Sequence, residues 1–246
     1  MTDGLRPAIV FDRVSKSFGS KQILNDISFE APAGKALCIL GRSGTGKSVT
    51  LKLIISLLKP DSGKIWVEED ELANLDSRQI ARVRRKMGFL FQDAALFDSL
   101  TLYENLALPL HRLTSKSPAE IDFVIDRVLG DVGLAGDKRK LPAELSGGMR
   151  KRAGLARALV LEPRILLADE PSSGLDRITA SEIDELLLRQ KAERKTTLIV
   201  VTHDVRGARR IADQIAVFDR GRLIAQGAVS EIEHSENEVA RKLISE

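Results

Sequence analysis

The chain of 246 residues is 43% hydrophobic and 30% charged, and its formal net charge is only +3. This composition excludes fibrous and disordered classes of protein. Because the basic residues are spread among nearly as many acids, the charge argues against a dedicated nucleic-acid binder, and we expect no nucleic-acid partner. The length permits one large α/β domain that carries an inserted lobe.

The single cysteine and the first residues bear on where the protein works. Cys38 lies in the apolar run "KALCIL" and has no second cysteine to pair with, so we expect a core residue in a reducing compartment. Residues 1–12 lack the regions of a signal peptide, and no run approaches the roughly 18 apolar residues that span a bilayer. We therefore expect a soluble protein that reaches any membrane through a partner.

The first third of the chain predicts short strands around one glycine-rich turn. Strands are expected at residues 8–18, 23–31, 35–40, 64–67 and 87–91. After the third strand, apolar residues recur at helical spacing from Leu51 to Leu58. This spacing predicts a helix that continues until Pro60 ends it.

The remainder of the chain is first helical and then alternates helices with strands. In the helical stretch over residues 93–145, "SPAE" is a capping box with Pro118 at the first helical position, which indicates an inserted lobe. The later elements are expected as helix 147–161, strand 164–169, helix 179–194, strand 196–201, helix 205–212 and a hairpin over 214–227. The alternation predicts a mostly parallel, doubly wound α/β sheet with ligands at the carboxyl ends of its strands.

A phosphate site is predicted by "GRSGTGKS", residues 41–48, which matches GxxxxGKS between a strand and a helix. Its glycines let backbone amides point at phosphate oxygens, and the helix N-terminus adds partial positive charge. Lys47 is expected to contact the β- and γ-phosphates, and the Ser48 hydroxyl to ligate Mg²⁺. The predicted nucleotide-binding residues of this phosphate loop and the helix after it are Gly41, Arg42, Ser43, Gly44, Thr45, Gly46, Lys47, Ser48 and Val49.

Two consecutive acids follow the buried strand "RILLA". Side chains alternate along a strand, so Asp169 and Glu170 can act at one site only if the strand ends there, and Pro171 indicates that it does. Asp169 is then expected to hold the Mg²⁺ shell, and Glu170 to orient the attacking water and accept its proton. The alternative is an acidic loop in solvent.

Three single residues are candidates by position. Gln92 follows a predicted strand and could reach the metal or the water, and His203 follows another and could touch the γ-phosphate. Each could instead be a surface polar group. Phe18 could stack on an adenine face, or it could be a core phenylalanine.

Five features in chain order closely resemble the ATP-binding cassette (ABC) superfamily: "GRSGTGKS", Gln92, "LSGGM", "ILLADE" and "VTHD". The resemblance covers nearly the whole chain and implies a single ABC ATPase domain over residues 1–246. In such a domain, a RecA-like core would occupy residues 1–92 and 147–246, with an N-terminal antiparallel β-subdomain. A helical subdomain would occupy about residues 93–146 and end at the signature "LSGGM", residues 145–149.

The resemblance also implies a mechanism. ATP and Mg²⁺ would be bound by a head-to-tail homodimer, in which Ser146, Gly147 and Gly148 meet the nucleotide held by the other subunit. Ser48, Gln92 and Asp169 would surround the metal. Glu170, His203 and Gln92 would act in hydrolysis. The "SSGLD" segment at residues 172–176 resembles the D-loop of the family, which implies that Asp176 lies at the dimer interface.

A closer resemblance is to the ATPase subunits of MCE-type, Mla-like bacterial phospholipid transporters. It rests on "SGTGKSV", "FQDAALFDSLTLYENLALPL", Met149 after the glycine pair, and "GLDRITASEID". This implies membrane permease partners that dock around residues 97–110, an MCE-domain protein, a small STAS-domain protein, and a peripheral position on the cytoplasmic face of the inner membrane. The apolar residues of the docking segment could equally be core of the lobe.

Other functions share these motifs. The ATPase of a polar-solute importer, such as an amino-acid system, has every catalytic motif named here, and a non-transport cassette is a third possibility. A small GTPase is disfavoured because the sequence has no NKxD motif. A basic cluster could indicate nucleic acid, but a solvated helix face explains it better; its members are Arg82, Arg84, Arg85 and Lys86.

Overall fold

The computed structural model describes residues 7–245, in which two sheets and a set of helices surround a layered core. The expectation about a signal peptide concerns residues 1–6 in part, and these lie outside the described residues. The strands are β1 Pro7–Phe18, β2 Lys21–Pro32, β3 Ala36–Gly41, β4 Ser62–Val67, β5 Asp70–Glu71, β6 Met87–Leu90, β7 Ile165–Asp169, β8 Thr197–Thr202, β9 Gln214–Asp219 and β10 Arg222–Gly227.

The helices follow the predicted order, with additional helices after residue 76 and near residues 229–245. They are α1 Lys47–Ile54, α2 Ser77–Arg85, α3 Leu102–Leu113, α4 Pro118–Asp131, α5 Gly147–Leu159, α6 Arg177–Arg194, α7 Val205–Ile211, α8 Val229–Glu233 and α9 Glu238–Ser245. Within the described part of the chain, none of them is long and apolar enough to cross a membrane.

The larger sheet has the strand order β10-β9-β3-β8-β7-β6. Its five strands from β9 to β6 run parallel, and β10 is an antiparallel edge strand. Every residue of β3, β7 and β8 is buried, as expected for apolar strands covered on both faces. The predicted mostly parallel α/β core is confirmed.

The smaller sheet is antiparallel, with the order β2-β1-β4-β5, and it confirms the predicted N-terminal β-subdomain. The rings of Phe11 and Phe29 stack across β1 and β2 with centroids 4.5 Å apart. Phe29 also packs edge-on against Phe218 of β9. These aromatic contacts attach the small sheet to one face of the large one.

The alternation of side chains along β3 divides the core into two layers. Cys38 and Leu40 pack into the cluster that contains the helical segment, whereas Leu37 and Ile39 pack into the cluster under the antiparallel sheet. Cys38 is fully buried, as predicted, and burial raises the pKa of its thiol.

The residues between β6 and α5 contain α3 and α4, as the sequence predicts for an inserted helical lobe. Both helices begin with a capping box. Thr101 pairs with Glu104 in the first, and Ser117 pairs with Glu120 in the second, where Pro118 occupies the predicted position. The local sequence therefore defines the starts of both helices.

One helix boundary differs from the prediction. Helix α1 ends at Ile54 instead of continuing to Pro60, and Ser56 turns back with a φ of 56°. Arg84 of α2 donates hydrogen bonds to the carbonyls of Ile55 and Ser56 at 2.9 Å each. This side chain from a distant helix satisfies carbonyl groups that follow α1, and no pattern near residue 55 encodes it.

Candidate nucleotide site

The phosphate loop connects the end of β3 to the start of α1, as predicted. Gly44 and Gly46 have φ values of 81° and 99°, a region in which side chains with a Cβ are strained. Gly46 is the residue immediately before α1, and the α1 N-terminus therefore opens onto the loop. The backbone conformation fits an anion cradle.

Gly41 is required for a different reason from the one predicted. Its φ is not positive. A Cβ at this position would lie 2.5 Å from the carbonyl oxygen of Phe218 and 2.7 Å from the Thr45 hydroxyl. Gly41 is therefore needed for close packing against β9, and curling of the loop depends on Gly44 and Gly46.

The Lys47 side chain is buried and folds back under the loop. Its Nζ donates to the carbonyls of Gly41 at 2.8 Å and Arg42 at 3.2 Å, and it lies 3.7 Å from Oε1 of Glu170. The ammonium thus lies between the loop and the predicted base. These carbonyls take two of the three N–H donors of the ammonium, which leaves one for a phosphate oxygen.

The other predicted loop residues divide into exposed and internal ones. Arg42 and Ser43 are exposed at the crest of the loop. The Thr45 hydroxyl and the Thr45 amide both donate to the Arg42 carbonyl, at 2.9 and 3.4 Å, so this residue closes the loop. Val49 packs partly against the core, which leaves its backbone as the part that could face a ligand.

Ser48 and Asp169 meet at the centre of the site. The Ser48 hydroxyl donates to Oδ1 of Asp169 at 2.9 Å. Asp169 is only 6% exposed, and burial raises its pKa, although the hydrogen bond from Ser48 opposes this. A divalent cation would relieve the buried charge, so these two oxygens fit the predicted magnesium ligands.

The remaining metal ligands must come from elsewhere. Among residues 7–245, no group of three or more His, Cys, Asp or Glu side chains is arranged to hold a metal ion. Mg²⁺ characteristically takes one or two carboxylates together with phosphate oxygens and water, so the donor set fits it. Gln92 is exposed and follows β6, whose Leu90 pairs with Ala168, the residue before Asp169. The register therefore brings Gln92 to the same sheet edge.

Glu170 leaves the strand in a left-handed conformation. Its φ is 47°, and β7 ends at Asp169, which confirms the predicted strand end. Its amide donates to the Val201 carbonyl at 2.9 Å. The carboxylate is mostly buried between Lys47 and His203, whose Nδ1 lies 2.9 Å from Oε2. Two consecutive acids thus serve one site because the turn redirects the second.

A cleft of about 690 Å³ adjoins the Glu170 carboxylate. Its lining includes His203, Asp204 and the D-loop residues Ser172, Ser173 and Gly174. His203 itself is largely exposed and also donates its amide to Oε2 of Glu170 at 3.3 Å. A larger cavity, of about 1060 Å³, lies elsewhere, and none of the predicted site residues lines it.

The signature begins α5. Ser146 is exposed and caps the helix by accepting a hydrogen bond from the Met149 amide at 3.2 Å. Gly147 is exposed, and Gly148 is buried where a Cβ would lie 2.5 Å from Cγ2 of Thr179. Within the described residues, no hydrogen bond joins the signature to the phosphate loop.

The structure places Asp176 at the start of α6 and Phe18 at the end of β1. The Asp176 carboxylate caps α6 by accepting from the amides of Ile178 and Thr179, so it is already used within its own chain. Phe18 is 49% exposed at the end of β1, with Nζ of Lys16 5.6 Å from its ring centroid. The alternative of a core phenylalanine is wrong, because about half of Phe18 is exposed to solvent.

Two basic residues of α5 were not predicted as site residues. Lys151 donates to the carbonyl of Glu170 at 2.9 Å. Arg157 donates to the carbonyls of Ala94 and Ala95, which follow Gln92 in the chain, at 3.0 and 2.7 Å. Helical spacing indicates the burial of Lys151, because this residue lies on the same face of α5 as the buried Gly148 and Leu155.

Two members of the basic cluster near α2 form salt bridges with acidic residues. Lys86 lies 2.6 Å from Glu68, and Arg82 lies 3.7 Å from Asp70. The hydrogen bonds from Arg84 to the end of α1 occupy a third member of the cluster. Arg82, Arg84 and Arg85 are exposed, in agreement with the expected solvated helix face.

Comparisons with known proteins agree with this geometry. The ABC transporter family matches residues 24–173 of the chain. The probable ribonucleotide transport ATP-binding protein mkl of Mycobacterium leprae is 42% identical over 99% of this chain and 71% of its own length. The methionine import ATP-binding protein MetN of Rhodopseudomonas palustris is 37% identical over 96% of this chain and 66% of its own length.

Solved structures share the fold. A dimeric, post-hydrolysis state of the ATP-binding cassette MJ0796, bound to ADP and Pi, aligns with a TM-score of 0.83 and 32% identity over 89% of this chain and 98% of that one. The cassette cbiO1 of Clostridium perfringens aligns with a TM-score of 0.81 and 27% identity over 96% of this chain and 98% of that one.

The chain belongs to the ABC transporter family, and its fold is that of an ABC ATPase cassette. It is the ATP-binding, ATP-hydrolysing subunit of such a transporter, and it uses ATP with Mg²⁺.

Proposed function

We propose that Glu170 is the base for ATP hydrolysis and that His203 orients it. The observation that carries this proposal is the position of the Glu170 carboxylate, 2.9 Å from Nδ1 of His203 and 3.7 Å from Nζ of Lys47. An ionised glutamate accepts a proton from water at neutral pH without special tuning. In the reaction, water attacks the γ-phosphorus, its proton passes to the Glu170 carboxylate, and ADP leaves with inorganic phosphate as the second product.

The remaining residues bind and orient the nucleotide. Lys47 and the amides of the phosphate loop would hold the phosphates, with Phe18 against the adenine. Mg²⁺, held by Ser48 and Asp169 with Gln92 beside them, would supply positive charge to the phosphate oxygens. The pairing of Ser48 with Asp169 supports this assignment.

Hydrolysis is proposed to require two copies of the chain arranged head to tail. The α5 N-terminus, with Ser146 and Gly147 exposed, has an amide-lined opening to which the phosphate loop of its own chain makes no hydrogen bond within the described residues. Ile178, 76% exposed beside the D-loop, supplies apolar surface that a second copy would cover. The dimeric state of the MJ0796 cassette supports the same arrangement. Closure around ATP and reopening after hydrolysis would then drive a permease.

The helical lobe is the proposed docking surface for that permease. Of the candidate apolar residues, Leu102 and Leu106 are fully buried and belong to the core, whereas Phe97 is 52% exposed. Asn105 holds the Phe97 segment, because its amide donates to the carbonyls of Phe97 at 3.1 Å and Leu100 at 3.0 Å. A rigidly presented aromatic side chain is a typical anchor of an interface.

The transported substrate is proposed to be phospholipid, moved between the bacterial inner and outer membranes. This rests on the residues that resemble MCE-type ATPase subunits, including Met149 after the signature glycines. An MCE-domain protein and a small STAS-domain protein would be further partners, with the ATPase on the cytoplasmic face of the inner membrane. A polar-solute importer is the second candidate, because relatives are named for ribonucleotide transport and methionine import.

The test is to extract the chain gently from its native membrane, identify co-purifying proteins, and analyse bound small molecules by mass spectrometry. Phospholipid enriched over a detergent control, together with an MCE-type chain, would support the first candidate. A solute-binding protein with bound polar solute would replace it with the second. A Phe97→Ala variant should lose the permease from the complex, whereas Phe123→Ala, at another exposed aromatic residue, should retain it.

A further inference from the structure

Lys151 is a buried lysine at the junction of three functional segments. It lies on α5, five residues after Ser146, and is only 7% exposed. Its Nζ donates to the Glu170 carbonyl at 2.9 Å and to the Ser173 hydroxyl at 3.4 Å. One ammonium group therefore connects the signature helix to the turn after β7 and to the D-loop.

The Glu170 carbonyl receives more hydrogen bonds than an ordinary turn carbonyl. The Ser173 hydroxyl donates to it at 3.0 Å and the Ser173 amide at 3.2 Å, in addition to Lys151. Glu170 is a non-glycine residue with a φ of 47°. Such a conformation is unfavourable for a residue with a Cβ, so surrounding contacts must hold it in place.

The electrostatic surroundings explain how a lysine can occupy this position. Burial lowers the pKa of Lys151, and the nearby carboxylates of Asp93, Glu170 and Asp169 oppose that effect. A buried ammonium without acceptors or counter-ions is strongly unfavourable. Here the two backbone and side-chain acceptors and the nearby carboxylates offset part of that cost.

The geometry points to Lys151 as a positioning residue for hydrolysis, which holds the Glu170 turn through its hydrogen bond to the Glu170 carbonyl and so aims the carboxylate. This inference rests on the proposed role of Glu170 as the base. Lys151 touches the backbone of that residue and lies on α5, outside the phosphate loop. Its loss should therefore slow turnover without weakening the binding of ATP.

The test compares three variants of the full chain in a steady-state ATPase assay, with ATP affinity measured separately. Lys151→Met keeps the apolar stem and removes all donors; Lys151→Gln keeps a donor without the charge. Arg152→Met is the matched control, since Arg152 is the next residue of α5 and pairs with Glu182. We expect Lys151→Met to lower kcat about tenfold with KM changed less than about twofold, and Lys151→Gln to stay within about threefold of wild-type kcat.

Three results would overturn the inference: Lys151→Met with normal kcat, equal losses of kcat and ATP affinity, or Lys151→Gln as slow as Lys151→Met. Glu170→Gln in the same assay separates the two proposals. If Glu170→Gln turns over normally, the proposed base is wrong, whatever Lys151 does. If Glu170→Gln is inactive and Lys151→Met is normal, only the positioning role fails.

Discussion

Nδ1 of His203 lies 2.9 Å from Oε2 of Glu170, although the two residues are 33 positions apart in the chain. The register of β7 and β8, with Asp169 opposite Val201, brings them together at one sheet edge. The left-handed turn at Glu170 then directs its carboxylate toward β8 and the phosphate loop. The proposed hydrolytic pair thus depends on strand pairing and on a single backbone torsion.

Replacing the proposed base tests its role directly. Glu170→Gln should bind ATP with an affinity close to wild type, because the phosphate loop is unchanged, and should lose turnover by about 100-fold or more, since the amide cannot accept the proton. An ATP-bound dimer should then accumulate, which size-exclusion chromatography with and without ATP would detect. Unchanged turnover would remove Glu170 as the base.

The shared site is tested at the signature. Ser146→Arg should leave nucleotide binding to the single chain intact and abolish hydrolysis, because the bulky side chain blocks the α5 N-terminus. Mixing this inactive variant with inactive Glu170→Gln should restore part of the ATPase activity. In a head-to-tail dimer, one site then combines an intact Glu170 with an intact signature. A mixture that stays inactive, or a fully active Ser146→Arg variant, would contradict the shared site.

The phosphate-loop glycines should differ in how they tolerate alanine. Gly41→Ala forces a Cβ to within 2.5 Å of the Phe218 carbonyl oxygen and should lower the free energy of unfolding by about 2 kcal/mol or more. At Gly44 a Cβ meets nothing within 4 Å, so Gly44→Ala should cost only the strain of its positive φ, about 1 kcal/mol. Urea unfolding of both variants measures this, and equal losses would contradict the packing role of Gly41.

A buried acid in α6 should make stability depend on pH. Burial and the nearby carboxylate of Asp204 raise the pKa of Asp184 to about 6, against an ordinary value of 3.8. The folded state therefore keeps this proton over a range in which the unfolded chain has released it, so the contribution of Asp184 to the free energy of unfolding falls as pH rises from about 4 to about 6.

Asp184→Asn removes that titration. The variant should be more stable than wild type above pH 7 by about 1 kcal/mol or more, with the difference shrinking toward pH 4. Urea unfolding at several pH values measures it. Glu182→Gln, at an exposed residue of α6 paired with Arg152, is the control and should show no such convergence. A pH-independent difference for Asp184→Asn would show that charge is not the cause.

Much of the fold could be predicted because the relevant signals are local. The runs that became β3, β7 and β8 are short and apolar, and each is fully buried in the parallel sheet. The capping boxes at Thr101 and Ser117 are encoded within four residues, and both form. The phosphate loop is likewise a contiguous motif, so the sequence of residues 41–48 predicts its position before α1.

Long-range contacts could not be predicted in the same way. The end of α1 depends on Arg84 of another helix, 29 positions away from the Ile55 carbonyl that it contacts. Lys151 was not predicted as a site residue, because its acceptor, the Glu170 carbonyl, is 19 positions away. A pattern of residue types carries no information on a backbone carbonyl that another segment will provide.

The sequence by itself determined the chemistry of the site: a phosphate loop, two acids after a buried strand, a signature before a helix, and thus an ABC ATPase. Only the tertiary structure decided how these parts face one another. Strand register set Glu170 beside His203, close packing made Gly41 obligatory, and the position of α5 set Lys151 against the Glu170 carbonyl. The physical reason is that the spacing of residue types along the chain encodes helices, strands and turns. Contacts between residues distant in the chain form only when these elements pack together.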